Sequence, residues 1–292
     1  MGAKRSGLHP LLFVIPIIAL MLFIGFGPLL ISIHYSTTNF NPARSDTIRF
    51  IGVDNYLRMI EDPTLHRSIL NTLLYVGVVV PVDLILGFIL ALMVLNKTDR
   101  LIRVYRIGMI IPTMMAPVAG AFTIRYLFFP VFGLVDSSLR NFGLEPIKLT
   151  TTSATSLFSI MLTDFWQFTP FSFFILLSGL MAIPPSMRES ADVDGANYFQ
   201  KLRHIMLPML KGLMLVVVLL RMTDAFKIFE YPFLITYGGP GNSSSTIAYY
   251  LFKIGLGQSF EIGYASAISW IINIIVMSIA LVLIRSLARM TR

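Results

Sequence analysis

Ionisable side chains in an apolar chain are the first candidates for chemistry, and here they are few. Arg221, Asp224, Lys227 and Glu230 follow one another at intervals of three, alternating in sign, within a stretch that is otherwise mostly apolar. Neighbours in such a row can pair along a helix, and the set is neutral overall. Each step of three residues turns a helix by about 300°, so one continuous helix would wind the four charges around its axis rather than aim them all into one cavity. Asp83 and Arg125 stand in two other apolar stretches; an ion pair between them is open, but no spacing brings them together. Asp164-Phe165-Trp166-Gln167-Phe168-Thr169-Pro170-Phe171 mixes polar and aromatic residues, and Pro170 can free a backbone carbonyl where a helix lines a cavity. Charge inside a membrane helix is costly and marks function by default. Helix packing is the competing role, and for Arg221 and Lys227 the spacing does not choose between them.

Other chemistry is excluded by what the chain lacks. It has no cysteine, hence no disulfide, thiol nucleophile or thiolate metal site. Its four histidines, His9, His34, His66 and His204, are scattered, so no metal site is expected. There is no H-E-x-x-H motif and no nucleophile–base pattern. The phosphate loop G-x-x-x-x-G-K-[ST] is also absent; Gly238-Gly239-Pro240-Gly241-Asn242 is glycine-rich but carries no lysine. The chain is therefore not expected to be an enzyme, and any ATP and Mg would be bound by another polypeptide.

The elements that must position these residues follow from composition. Of 292 residues, 55% are hydrophobic and 13% charged, with mean hydropathy +0.76. A soluble domain carries about twice that share of charge, so the chain reads as an all-α polytopic membrane protein. Six apolar stretches are long enough to cross a hydrocarbon core of about 30 Å: residues 11–33, about 69–95, 106–129, 155–182, 207–236 and 262–284. The first is too long for the apolar core of a signal peptide and reads as uncleaved. With both termini in the cytoplasm, the inner segments hold 13 of the 23 Lys and Arg and the longer outer segments hold 7, as the positive-inside rule requires. The net charge of +8 is thus accounted for by loops, with no call for a nucleic-acid partner. Among the outer loops, Asp54 is a candidate N-cap for a short helix carrying Tyr56, Leu57 and Ile60 on one face, either lying on the membrane or packed as a loop.

The longest inner loop runs from Glu189 to Pro208. Ser186 can cap a helix starting near Met187, with Glu189 closing a capping box. Gly195 marks either a helix end or a close backbone approach. A second helix from about Ala196 carries Phe199, Leu202, Ile205 and Met206 at helical spacing, so the loop reads as two short helices meeting at a glycine elbow. Small residues at Ser190, Ala191, Gly195 and Ala196 permit close approach, Glu189 can meet a basic partner, and Leu207-Pro208 ties the loop to the fifth span.

The pattern of Glu189, Ala191, Gly195, Ile205, Leu207 and Pro208 resembles the "EAA" loop of ABC importer permeases, with Ser190 in place of the usual first alanine. Asp194-Gly195-Ala196, Thr236-Tyr237-Gly238-Gly239-Pro240, Gly263-Tyr264-Ala265-Ser266-Ala267 and Phe50-Ile51-Gly52-Val53-Asp54-Asn55-Tyr56 resemble further marks of maltose-type sugar permeases. The likeness covers nearly the whole chain.

This resemblance implies a six-helix bundle of the type I importer permease kind: one permease domain over residues 1–292, in a prokaryotic inner or plasma membrane, with a coupling loop at about 184–210. It implies a second homologous permease, two ATP-binding subunits and an extracytoplasmic solute-binding protein as partners. A sugar or oligosaccharide would move inward by alternating access. Glu189, Ser190, Ala191, Asp192, Asp194, Gly195, Ala196, Leu207 and Pro208 would couple to the ATPase. In such permeases the fourth and fifth spans line the path, which nominates Trp166, Gln167, Phe168, Phe171, Asp224 and Ile228 for the substrate cavity. Arg125, Arg221 and Lys227 leave room for an acidic sugar. A gradient-driven transporter using Asp83, Asp164 and Asp224 is the rival; six spans without an internal repeat are few for it, and it would leave the elbow idle. A membrane-embedded enzyme is a second rival, without a catalytic constellation.

Overall fold

In a computed structural model, the protein is described over residues 11–44, 47–95, 97–130, 132–145 and 147–290. The described residues are helical apart from turns and one isolated bridge between Thr38 and Phe50. Five helices are long and apolar enough to cross a membrane, and a bent pair makes a sixth span. They are α1 (Leu11–Ser36), α3 (Pro63–Leu95), the pair α4 (Asp99–Met114) and α5 (Pro117–Leu127), α7 (Ser156–Met181), α10 (Leu207–Ala225) and α12 (Ile262–Met290). Short helices lie between them: α2 (Asp54–Glu61), α6 (Leu134–Asn141), α8 (Pro185–Val193), α9 (Tyr198–Lys201) and α11 (Ile247–Phe252).

The chain divides into two compact units. One comprises Met1–Asp62 and Leu251–Ile274, the other Pro63–Tyr250 and Ile275–Arg292. In the first, Trp270 Nε1 donates to Ser32 Oγ at 2.9 Å, and Asn55 is buried, with Nδ2 donating to the Ser36 and Thr38 carbonyls at 2.9 and 2.8 Å. Helix α2 is therefore packed through Asn55 while Leu57 and Ile60 stay exposed, as does Val53 just before it. Asp54 is its first helical residue and not its cap; Val53 occupies that position, with no side-chain bond.

In the second unit, α3 and α7 form the spine. They approach so closely at Gly87 that an added Cβ would sit 2.6 Å from Ser172 Cβ and 2.8 Å from the Phe173 nitrogen. Two apolar clusters flank this contact. One gathers Tyr75, Val79, Ile160, Met222, Phe226 and Tyr231; the other gathers Ala91, Phe173, Leu176, Leu177, Leu180, Met206 and Leu210.

Two spans are broken, where the apolar runs alone read as continuous. α4 and α5 meet at 94°. The cause is Pro117: its ring disfavours helix at the preceding residue, and Ala116 is extended at ψ 139°. The regular helix of the fifth span ends at Ala225 rather than near Thr236. A non-helical break over 226–229 and a π-turn at Pro232–Thr236 follow.

Candidate functional site

Three spans meet around one guanidinium. Arg221 lies on the last turns of α10 and is 1% exposed. Its Nε donates to Asp83 Oδ2 on α3 at 2.9 Å, and its Nη2 reaches the same oxygen at 2.7 Å and pairs with Asp164 Oδ1 on α7. Thr169 Oγ1 donates to the other Asp83 oxygen at 3.0 Å, and the Tyr75 hydroxyl donates to Asp164 Oδ2. The Arg221 guanidinium also lies 4.4 Å from the centre of the Phe168 ring. Asp83 thus pairs with Arg221, not Arg125. Arg125 Nη1 instead donates to the Leu234 carbonyl at 2.8 Å and the Tyr237 hydroxyl at 3.0 Å, anchoring α5 to the π-turn.

Beside this triad is a cavity of about 230 Å³ lined by Pro117, Asp164, Phe168, Arg221, Asp224, Lys227, Ile228 and Glu230. All four charges of the alternating row face it. The winding expected of a continuous helix does not occur because regular helix stops at Ala225, so Lys227 and Glu230 are placed by the break and not by helical rotation.

Broken backbone inside hydrocarbon must find hydrogen bonds within the protein, and it does. Gln167 Nε2 donates to the Met115 carbonyl, freed at the α4–α5 corner, at 2.7 Å, while Gln167 Oε1 accepts from the Tyr231 hydroxyl at 2.7 Å. One buried amide therefore bridges both breaks. Thr246 Oγ1 donates to the Ile228 carbonyl at 2.9 Å, closing the second one. Above it, Asn71 Nδ2 donates to the Asn242 and Ser245 carbonyls, both at 2.9 Å, Thr72 Oγ1 accepts from the Ile247 N–H at 2.9 Å, and the Ser156 and Ser243 hydroxyls bond at 2.8 Å. Residues 243–246 are all buried. Sequence reasoning missed this scaffold. Its signal was Ser68, Asn71 and Thr72 at i, i+3 and i+4, one polar face on an apolar span.

At the other end of α7 is the elbow. Pro184 and not Ser186 precedes α8, and the capping box lies on the second helix instead: Asn197 Oδ1 accepts from the Gln200 N–H at 2.9 Å while Gln200 Oε1 accepts from the Asn197 N–H at 2.7 Å. Gly195 ends α8 at φ +69°. The Ala196 N–H bonds the Ala191 carbonyl at 2.9 Å and the Gly195 N–H bonds the Asp192 carbonyl at 3.1 Å, the pair of bonds that closes a helix on a left-handed residue. Nothing lies within 4 Å of an added Cβ, so the glycine is there for its dihedral and not for close approach. Lys201 Nζ pairs with Asp192 Oδ1 at 2.5 Å across the elbow, and Arg188 Nη2 holds the Leu180 carbonyl at 2.5 Å. From α9 a π-turn at Leu202–Met206, closed by the Leu207 N–H on the Leu202 carbonyl, runs without interruption into α10. Pro208, which has no N–H to donate, directly follows that π-turn, at the join where the helical hydrogen-bond register changes.

The described residues thus hold a buried charge triad, a charged cavity at two broken spans and an exposed helical elbow joining α7 to α10. The chain matches the family described as binding-protein-dependent transport system inner membrane component over residues 83–291. The chain belongs to that family. It is 32% identical to the trehalose/maltose transport system permease protein MalF of Thermococcus litoralis over 260 residues, 89% of this chain and 85% of that one. It is 31% identical to the sulfoquinovosyl glycerol transport system permease protein SmoG of Agrobacterium fabrum, over 81% and 76% of the two chains. Its fold is similar to a chain of a bacterial alginate ABC transporter solved with an alginate pentasaccharide-bound periplasmic protein, with TM-score 0.84 and 22% identity over 97% and 94% of the chains.

This permease is accordingly a multi-pass inner-membrane component of a type I ABC importer. It is not itself an enzyme: hydrolysis lies on a separate ATPase, and a solute-binding protein serves the system. Of the residues nominated for its substrate cavity, Phe168, Asp224 and Ile228 are brought together in the lining. Gln167 is 1% exposed and engaged between the two breaks; Trp166 is exposed, Phe171 is half-buried, and neither lines the cavity. In the elbow, Glu189, Ser190, Asp192, Asp194, Gly195 and Pro208 are exposed, Ala196 and Leu207 are half-buried, and Ala191 is buried. Phe199, expected on the packing face, is 76% exposed, while Leu202, Ile205 and Met206 pack into the cluster around Phe173 and Leu177.

Proposed function

We propose that this permease imports a sugar or oligosaccharide by alternating access, as one of two homologous membrane subunits above two ATP-binding subunits that hold the nucleotide and Mg. An extracytoplasmic binding protein delivers the solute. Both termini lie in the cytoplasm, residues 1–292 form one permease domain, and the loop at about 184–210 is its coupling element. The named relatives support the sugar class, as does a cavity offering carboxylates, an ammonium and the Phe168 ring, groups suited to hydroxyls and to one face of a sugar ring.

The observation that carries the coupling role is the elbow's construction. Its exposed face of Met187, Val193, Tyr198 and Phe199 is presented by two short helices, one following directly on α7 and the other continuous with α10. Glu189, Ser190, Ala191, Asp192, Asp194, Gly195 and Ala196 would meet the ATPase, and Leu207 and Pro208 would pass its displacement to α10, whose far end carries Arg221 and Asp224. Affinity isolation of wild type and Glu189→Lys from native membranes tests this. Wild type should bring an ATPase that the variant loses. An equal yield with both would remove Glu189 from the contact, and no ATPase with either would undo the reading.

A further inference from the structure

The cavity itself bears on the charge of the solute. Three carboxylates line it, Asp164, Asp224 and Glu230, against two cations, Arg221 and Lys227, and Asp83 stands directly behind Arg221. The two cations are unequal. Arg221 is outnumbered by the carboxyl groups of Asp83 and Asp164, which take its Nε and Nη2, so it has no uncompensated positive charge to offer a solute. Lys227 forms no ion pair among the described residues; neither do Asp224 or Glu230. Arg125, the third cation of the spans, is turned to Leu234 and Tyr237 and does not line the cavity. What a solute meets is thus one unpaired ammonium, two unpaired carboxylates and a guanidinium already taken by two acids. Like charges repel strongly where water is displaced, whereas a hydroxyl can donate to either carboxylate or accept from the ammonium.

We propose that the solute passing this cavity is an uncharged sugar, and that Asp224 and Glu230 turn anionic sugars away while accepting hydroxyl donors from neutral ones. Phe168, held from beneath by Arg221, supplies the face against which a ring rests. This rests on the sugar reading above. It closes the room that Arg125, Arg221 and Lys227 leave in the sequence for an acidic solute, because Arg221 is taken by two acids and Arg125 is occupied elsewhere.

The test uses the complete importer, with its binding protein and ATPase, in proteoliposomes containing ATP. Uptake is followed for a panel of neutral disaccharides headed by maltose and trehalose, and for digalacturonate as the anionic probe. Neutral sugar should accumulate and digalacturonate should not. Asp224→Asn/Glu230→Gln should raise KM for the neutral sugar about tenfold, the effect of losing hydrogen bonds to charged acceptors, with the variant still co-purifying with its ATPase as a control for folding. Accumulation of digalacturonate by wild type, or an unchanged KM in the variant, overturns the inference and leaves the sugar reading standing. Uptake of neither class while the ATPase is active overturns both.

Discussion

At the scale of single residues, the account turns on groups that cannot be removed one at a time. Two carboxylates and one guanidinium share a site with 1% exposure or less. Arg221→Met leaves two buried carboxylates without their cation, and the expected loss is about 3–5 kcal/mol, read as a lowered midpoint of thermal unfolding in detergent. Asp83→Asn leaves Arg221 and Asp164 as a balanced pair and should cost clearly less. Equal losses would mean that the Arg221 charge is not what holds the two carboxylates in place. Gly120 belongs to the same scale: an added Cβ there would stand 2.5 Å from Gln167 Oε1. Gly120→Val should displace the amide from the Met115 carbonyl and lower stability by about 1–3 kcal/mol, in the same thermal measurement. None of these partnerships was legible in the sequence. Residues 83, 164 and 221 are far apart in the chain, and no periodicity reports which turn of one span faces which turn of another.

At the scale of elements, the spans and the elbow were legible and the breaks were not. Apolar stretches of about 20 residues or more announce membrane helices because hydrocarbon tolerates little else, and that argument marked out six spans even where a few charges interrupt them, one of the six being the bent pair. The elbow was legible because a glycine that ends a helix at φ above zero and the helical spacing of the apolar residues after it are local requirements. Hydropathy, by contrast, is the same for a straight span and a bent one, so the corner at Met115–Ala116 left only Pro117 as its sign, and the end of regular helix at Ala225 left none. One misreading followed directly: the row Arg221 to Glu230 was wound around a helix that does not continue that far. Two expectations belong here. Gly87→Leu must part α3 from α7 against backbone atoms and should abolish accumulation in the membrane, as measured by immunoblot. Gly195→Val forces a branched side chain into φ +69° with open space around it, a local cost of about 1–2 kcal/mol. It should spare membrane insertion while lowering ATPase stimulation by the binding protein, and Gly195→Asn should be milder.

At the scale of the whole molecule, the proposed function makes this permease a lever between two sites. The cavity lies at the breaks of the third and fifth spans, the elbow at the other end of the fourth and fifth, and α7 and α10 run between them. The central claim is that the elbow faces the cytoplasm and grips the ATPase there. The chain has no cysteine, so a single introduced thiol reports without background. Ser190, on the exposed face of the elbow, and Leu144, exposed in the segment between α6 and α7, stand on opposite sides of the membrane if the six-span topology holds. In membrane vesicles of known orientation, Ser190→Cys should react with an impermeant maleimide only from the cytoplasmic side and should lose that reactivity when the ATPase is bound. Leu144→Cys should react only from the outside. Labelling of Ser190→Cys from the outer side, or labelling unaffected by the ATPase, would contradict the account.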